Sequence, residues 1–346
     1  LVGVPAVNVL AQDDPTMPYP IFGQVVIDPD IMQIDVPKGE IRLPGAIDRV
    51  VTHDEDNRRV VAKVHAMVDD NFVCLLPDGR LVGRMRDDVE ATQKEFVPAT
   101  HMEIAEAIMD EHGLKGFRVE KTEHFVLIYN CGPEFARLTT KMMESMLQGV
   151  LEYTREQGID THEPAIPLPV VAFHDVADFQ SYKPMPPQVA AYYEINTNRV
   201  ILKEESLLDM LGMGELAAKE RVSTIAHEGC HQLLHNIGVQ QRLSRWPMWL
   251  GEGIAEYMAP TEPGRKYGWK GAGMINDMRM YELELFLQKQ FVKGFNGDTV
   301  DQTVRAGVLD STGYSAAWTL THYLAKEHKQ DFDRYMQYLS RMAPLH

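Results

Sequence analysis

From Arg59 to Met85, apolar and polar residues alternate in short runs broken by turn-forming residues. Arg59–Met67 reads as a strand, Asp69-Asp70-Asn71 turns the chain, Phe72–Leu76 follows, Pro77-Asp78-Gly79 turns it again, and Arg80–Met85 completes a meander. The same texture reaches back to about Tyr19, after a proline-rich entry at Pro15, Pro18 and Pro20. No cluster of His, Asp, Glu or Ser with recognisable spacing falls here, so residues 19–98 are expected to form a small β-rich domain without chemistry of its own.

Beyond it the period changes. Thr100 with Glu103 makes a capping box for a helix to about His112, stopped by Gly113, so residues 99–115 read as a connecting helix. Phe117–Tyr129 reads as a hairpin, and Pro133 opens a long helix that ends before Gly158. Pro167–His174 is a strand and Val176–Tyr182 a short helix; Ala190–Ile195 and Arg199–Lys203 are strands around the turn Asn196-Thr197-Asn198. From Ser206 onward the pattern is helical, apart from Pro260–Gly273 and Gly294–Gly313. The expected fold class is α+β: a small N-terminal β-rich domain, then over residues 116–346 a small sheet followed by a helical lobe.

Composition narrows the function classes. At 45% hydrophobic and 24% charged, the 346-residue chain has the make-up of a folded globular protein. Its 34 Lys plus Arg against 50 Asp plus Glu give a net charge of -16, so it lacks the basic footprint that nucleic acid or an anionic membrane demands. No apolar run approaches the roughly 20 residues that span a bilayer, so stable membrane insertion is not expected. Cys74, Cys131 and Cys230 are too scattered for a disulfide framework or a CxxC-type zinc site. Leu1–Ala11 is mostly apolar and ends in Val9-Leu10-Ala11, the small-residue cleavage pattern of a secretory leader. Residues 1–18 are therefore expected to be a leader remnant or a flexible tail; the first reading implies export to the periplasm, cell surface or medium.

Residues 227–231 read His-Glu-Gly-Cys-His within a helical stretch. At 3.6 residues per turn, His227 and His231 lie about 40° apart on one face, which lets both imidazoles reach a single zinc ion. Val222, Ala226, Cys230, Leu233 and Ile237 occupy an arc roughly opposite Glu228, giving the helix an apolar back and a histidine front. Catalytic zinc needs a third protein ligand and an open position. Glu252 and Glu256, four apart within Trp249–Tyr257, again share one helical face, which suits one carboxylate on the metal and the other on a ligand histidine. The metzincin pattern is excluded, because the positions it needs as Gly and His are Leu234 and Ile237. His235 lies a further turn along the axis and reads as a structural or cleft-edge residue.

HExxH followed by Trp249-Leu250-Gly251-Glu252-Gly253-Ile254-Ala255-Glu256-Tyr257 resembles the gluzincins, the thermolysin-like zinc metallopeptidases, and within them the bacterial peptidase MA-like proteins. The resemblance runs from about Phe117 to Leu339 and leaves residues 1–115 uncovered. It implies one zinc ion per chain held by His227, His231 and Glu252, with Glu228 as general base in the hydrolysis of a peptide or protein substrate. Glu256 is then left to hold His227 by its free N–H. Similar enzymes carry a Tyr or His on a helix after the Glu ligand, which makes Tyr314 the candidate donor to the developing oxyanion; packing at a helix start is the alternative use of its ring. Tyr192 and Tyr193, on the strand expected to edge the sheet beside the HExxH helix, are the next candidates and potential lining of a substrate cleft. Two rival readings remain, a zinc amidase acting on a non-protein amide such as cell-wall peptide, and a catalytically silent scaffold of gluzincin fold. An intact Glu228 weighs against the scaffold.

Overall fold

The computed structural model describes residues 39–45, 48–55, 57–186, 189–260, 269, 271–293 and 298–345. The leader-like stretch, the proline-rich entry and the start of the expected β domain, residues 1–38, lie outside them. The architecture is α+β.

The N-terminal strands are β1 (Ile41–Arg42), β2 (Arg49–His53), β3 (Arg59–Val68), β4 (Asn71–Leu75), β5 (Leu81–Arg84) and β6 (Glu90–Ala91). They form one antiparallel sheet in the order β5-β4-β3-β2-β6, with β1 beside the far end of β3. A bulge between Val64 and Ala66 reverses the alternation of β3. Val64 opposite Cys74 belongs to one buried cluster; Ala66 opposite Val73 belongs to a second, shared with Leu81 and with Leu243 from outside the N-terminal sheet. Arg242 secures this junction. Buried at 5% exposure, it donates to the carbonyls of Gly79 (2.7 Å) and Ile195 (3.3 Å), and its own carbonyl faces His65 Nε2 at 2.8 Å.

The helix α1 (His101–His112) has the expected capping box, with Thr100 and Glu103 satisfying each other's backbone N–H. It is more than a connector. Ile104, Ala105 and Ile108 are buried against the second sheet, and Glu111 pairs at 2.6 Å with Arg199, itself 3% exposed at its side chain.

That sheet runs β10 (Ala191–Glu194), β11 (Arg199–Lys203), β9 (Leu168–Phe173), β8 (Phe125–Tyr129), β7 (Arg118–Lys121). Its three inner strands are parallel and the two outer pairings antiparallel. Helices cover both faces, so β9 is buried throughout and reads as the unbroken apolar run Leu-Pro-Val-Val-Ala-Phe. Val126, Ile128, Val171, Tyr192 and Ile201 face α1 and α3 (Val176–Tyr182). Leu127, Val170, Ala191, Tyr193 and Val200 face the main core, formed with α2 (Pro133–Glu156) and α5 (Gly214–Asn236).

The helical lobe holds α4 (Leu207–Met210), α6 (Met248–Met258), α7 (Asp277–Lys293), α8 (Thr299–Arg305), α9 (Ser311–Glu327) and α10 (Lys329–Ser340). The short α8 falls in a stretch expected to be non-helical. Only Thr303 of it is buried while Val300 and Val304 are exposed, so no inward apolar stripe marked it in the sequence. Among the described residues no helix is long and apolar enough to cross a membrane.

Candidate metal centre

The helix α5 carries both histidines because its other sides are committed. Val222, Ile225, Ala226, Cys230, Leu233 and Leu234 pack into the main core. Gly229 lets α2 close in, since a Cβ there would stand 2.7 Å from Met143 Sδ. Gln232 Nε2 donates to the carbonyls of Pro169 (3.0 Å) and Asn198 (2.8 Å), which pins the helix to β9 and to the β10–β11 turn. His227 and His231 are left facing α6.

On α6, Trp249, Leu250, Ile254 and Ala255 anchor the helix in the core and Glu252 faces α5. His227 Nε2 and His231 Nε2 are 3.2 Å apart, and Glu252 Oε2 stands 3.2 Å from the first and 3.5 Å from the second. A tetrahedral ion with bonds of about 2.0–2.2 Å requires donor separations of about 3.3–3.6 Å, so this triangle has the dimensions of one face of a zinc polyhedron. Glu252 Oε2 is buried with no hydrogen-bond donor of its own, and the three ligand atoms converge within 4.8 Å of one another. Two imidazoles and a carboxylate also suit zinc chemically. Among the described residues, this is the one group of three or more His, Cys, Asp or Glu side chains placed to hold a metal ion.

Around the triangle, His227 Nδ1 lies 3.2 Å from Glu256 Oε1, one turn beyond Glu252. Glu228 is 3% exposed, its Oε2 has no hydrogen-bond partner, and its charge acts on His227, so a buried oxygen free to accept a proton lies in the field of the centre. Tyr314 enters from the first turn of α9, whose Asp310 cap accepts from Gly313 N at 2.8 Å; its ring sits 6.2 Å from that of His227. Two residues that the sequence did not single out complete the surroundings. Asn276 donates to Glu256 Oε2 at 2.9 Å, and Arg279, on α7, donates to Glu256 Oε1 at 2.7 Å.

The electrostatics follow from burial and these pairs. Burial disfavours the imidazolium of His227, but the carboxylates of Glu252 and Glu256 outweigh it and raise the group to about 10 in the metal-free protein. Burial likewise disfavours the Glu256 carboxylate, yet His227 and then Arg279 lower it to about 2, and the histidines hold Glu252 well below the usual carboxylate range. Burial, then the charges of Glu252 and Glu228, push the Tyr314 phenol well above its ordinary value, so it keeps its proton and remains a donor at neutral pH.

Tyr192 and Tyr193 do not fit their expected place at a cleft. Both are fully buried, and strand alternation sends them to opposite faces. Tyr192 packs edge-on to Phe179, while Tyr193 donates to Asn198 Oδ1 at 2.8 Å and stacks on His235. His235 is accordingly a structural residue, its Nδ1 3.3 Å from the carbonyl of Gln240.

No curated protein matches the chain. Residues 221–346, which carry all the side chains of the candidate centre and of its surroundings, match a family model described as a protein of unknown function, DUF1570.

Proposed function

We propose that this chain is a zinc-dependent hydrolase of gluzincin type that cleaves amide bonds in a peptide or protein substrate. The observation that carries the reading is the triangle of His227 Nε2, His231 Nε2 and Glu252 Oε2, with edges of 3.2, 3.2 and 3.5 Å, flanked by the unpartnered carboxylate oxygen of Glu228. His227, His231 and Glu252 hold the metal. The chemistry that a zinc ion supplies in such a site is Lewis acidity towards water and a carbonyl. Glu228 accepts the proton of the attacking water and returns it to the leaving amine. The Tyr314 hydroxyl donates to the oxyanion that develops on the substrate carbonyl. Glu256 keeps His227 in the tautomer whose Nε2 lone pair faces the metal.

One observation favours a second reading, a metal-holding scaffold without turnover. His227, Glu228, His231 and Glu252 are 8, 3, 4 and 1% exposed, a degree of enclosure that hydrolysis of a polypeptide must relieve. Digestion of a fluorogenic peptide library by zinc-loaded protein, with and without a chelator, separates the two. Chelator-sensitive cleavage is the expected result; full zinc occupancy with no cleavage selects the scaffold.

A further inference from the structure

We propose that Arg279 is a positioning residue for this centre, one that acts through Glu256 on His227; the inference rests on the zinc reading above. Glu256 Oε1 is shared between two partners, His227 Nδ1 at 3.2 Å and Arg279 Nη2 at 2.7 Å, while Oε2 accepts from Asn276 Nδ2 at 2.9 Å. Among the described residues, the partners of that carboxylate other than His227 are Asn276, immediately before α7, and Arg279, in its first turn. Its orientation, and with it the ring plane of His227, is therefore set by a helix that supplies no metal ligand.

Arg279 also reaches the other side of the centre. Its guanidinium lies 5.2 Å from the centroid of the Tyr314 ring, and Nη1 donates to Glu282 Oε2 at 2.7 Å. Glu282 in turn accepts from Ser311 (2.8 Å) and Ser315 (2.7 Å) on α9, the helix that carries Tyr314. The planar fork thus ties α7 to α6 through Glu256 and to α9 through Glu282. A lysine offers one nitrogen and no plane, so it cannot make both bonds and lie against the ring.

Charge gives the same residue a reason to exist. Glu228, Glu252 and Glu256 are all buried, and Arg279 pairs with the last of them. A divalent cation on the donor triangle brings the enclosed charge to zero when Arg279 is present, and leaves one carboxylate uncompensated when it is not. Glu282 stands outside this balance, because its side chain is one-quarter exposed and also accepts from Ser311 and Ser315.

Positioning and simple charge make opposite predictions. Removing a nearby positive charge should tighten the binding of a cation if Arg279 acts only as a counter-charge. If it positions Glu256, R279Q should bind zinc about tenfold more weakly, the scale of a loss beyond the ligands themselves. The experiment is a competition titration of zinc against a chromophoric chelator for the parent, R279Q, R279K, E256Q and the double variant E256Q/R279Q. R279K should fall between parent and R279Q, and the double variant should match E256Q within error, because the two residues lie on one path. R279Q binding as tightly as the parent or tighter overturns the proposal, and so do additive losses in the double variant. Should R279Q fail to fold by circular dichroism, R279K decides alone, with parental affinity as the contrary result. A parent that takes up no zinc removes the zinc reading and this inference together, whereas a parent that binds zinc with R279Q unchanged removes only the inference.

Discussion

His227 presents its two ring nitrogens to two carboxylates one helical turn apart, Nε2 to Glu252 and Nδ1 to Glu256, each at 3.2 Å. The geometry divides the labour: the nitrogen that faces Glu252 also faces His231, and the other is occupied by Glu256 alone. A carboxylate on the far nitrogen fixes the tautomer and raises the basicity of the near one. Glu256→Gln should consequently weaken zinc binding by about 10-fold to 100-fold, less than Glu252→Ala. Parental affinity in a chelator competition would make the contact between Glu256 and His227 incidental.

Ligand and base separate in a second set of variants. His227→Ala, His231→Ala and Glu252→Ala each leave two donors of the triangle, so elemental analysis of the purified proteins should find most of the zinc gone. Glu228→Gln leaves all three donors and should retain the metal, while cleavage drops by a factor of about 100 or more. Retained zinc in Glu252→Ala would strike Glu252 from the ligand set; undiminished cleavage in Glu228→Gln would do the same for the base.

The parts of this centre that could be read from the chain are those written at fixed spacing. His227 and His231 are one turn apart, as are Glu252 and Glu256, and a helix turns such spacing directly into a shared face. Arg279 and Asn276 have no such mark. They lie 23 and 20 residues beyond Glu256, and no periodicity records a contact at that separation. Tyr192 and Tyr193 show the opposite difficulty. Alternation says that the two rings point to opposite sides, but not that helices cover both faces of the sheet and leave neither ring at a cleft. The bulge at Val64–Ala66 was equally silent, though it turns half of β3 towards Leu243.

The His227–Glu256 pair gives the metal-free protein a defined pH response. His227 is raised to about 10 from 6.5, so its contribution to stability is complete below 6.5 and lost as the pH rises through the folded value. Glu256 is lowered to about 2 from 4.5, so its contribution is present above 4.5 and lost as the pH falls towards 2. Denaturation of chelator-treated protein should therefore show a decline from neutral to alkaline pH that is smaller in His227→Gln. Saturating zinc should suppress the same decline, because an imidazole ligated through Nε2 is already neutral and has no imidazolium proton to lose. An identical alkaline slope in the parent and in His227→Gln would show that the pair does not titrate in this way.

Two glycines on α6 flank Glu252 and should respond in opposite directions to the same substitution. A Cβ on Gly253 would stand 2.2 Å from Thr321 Oγ1 and 2.7 Å from the carbonyl oxygen of Ala317, both on α9. The threonine can rotate; the backbone carbonyl cannot. Gly253→Ala must then push α6 away from α9, at a cost of about 1–3 kcal/mol, and it moves Glu252 relative to Tyr314. Gly251 has open space where a Cβ would go, so Gly251→Ala should stabilise the helix by up to about 1 kcal/mol through its better helix propensity. Urea denaturation of both variants, followed by the zinc titration, reads the two effects. The expected order of stability is Gly251→Ala, parent, Gly253→Ala, with weakened zinc binding only in the last. If Gly253→Ala is as stable as the parent and binds zinc as tightly, α6 and α9 are not in backbone contact at this point, and the register that brings Tyr314 to His227 falls with it.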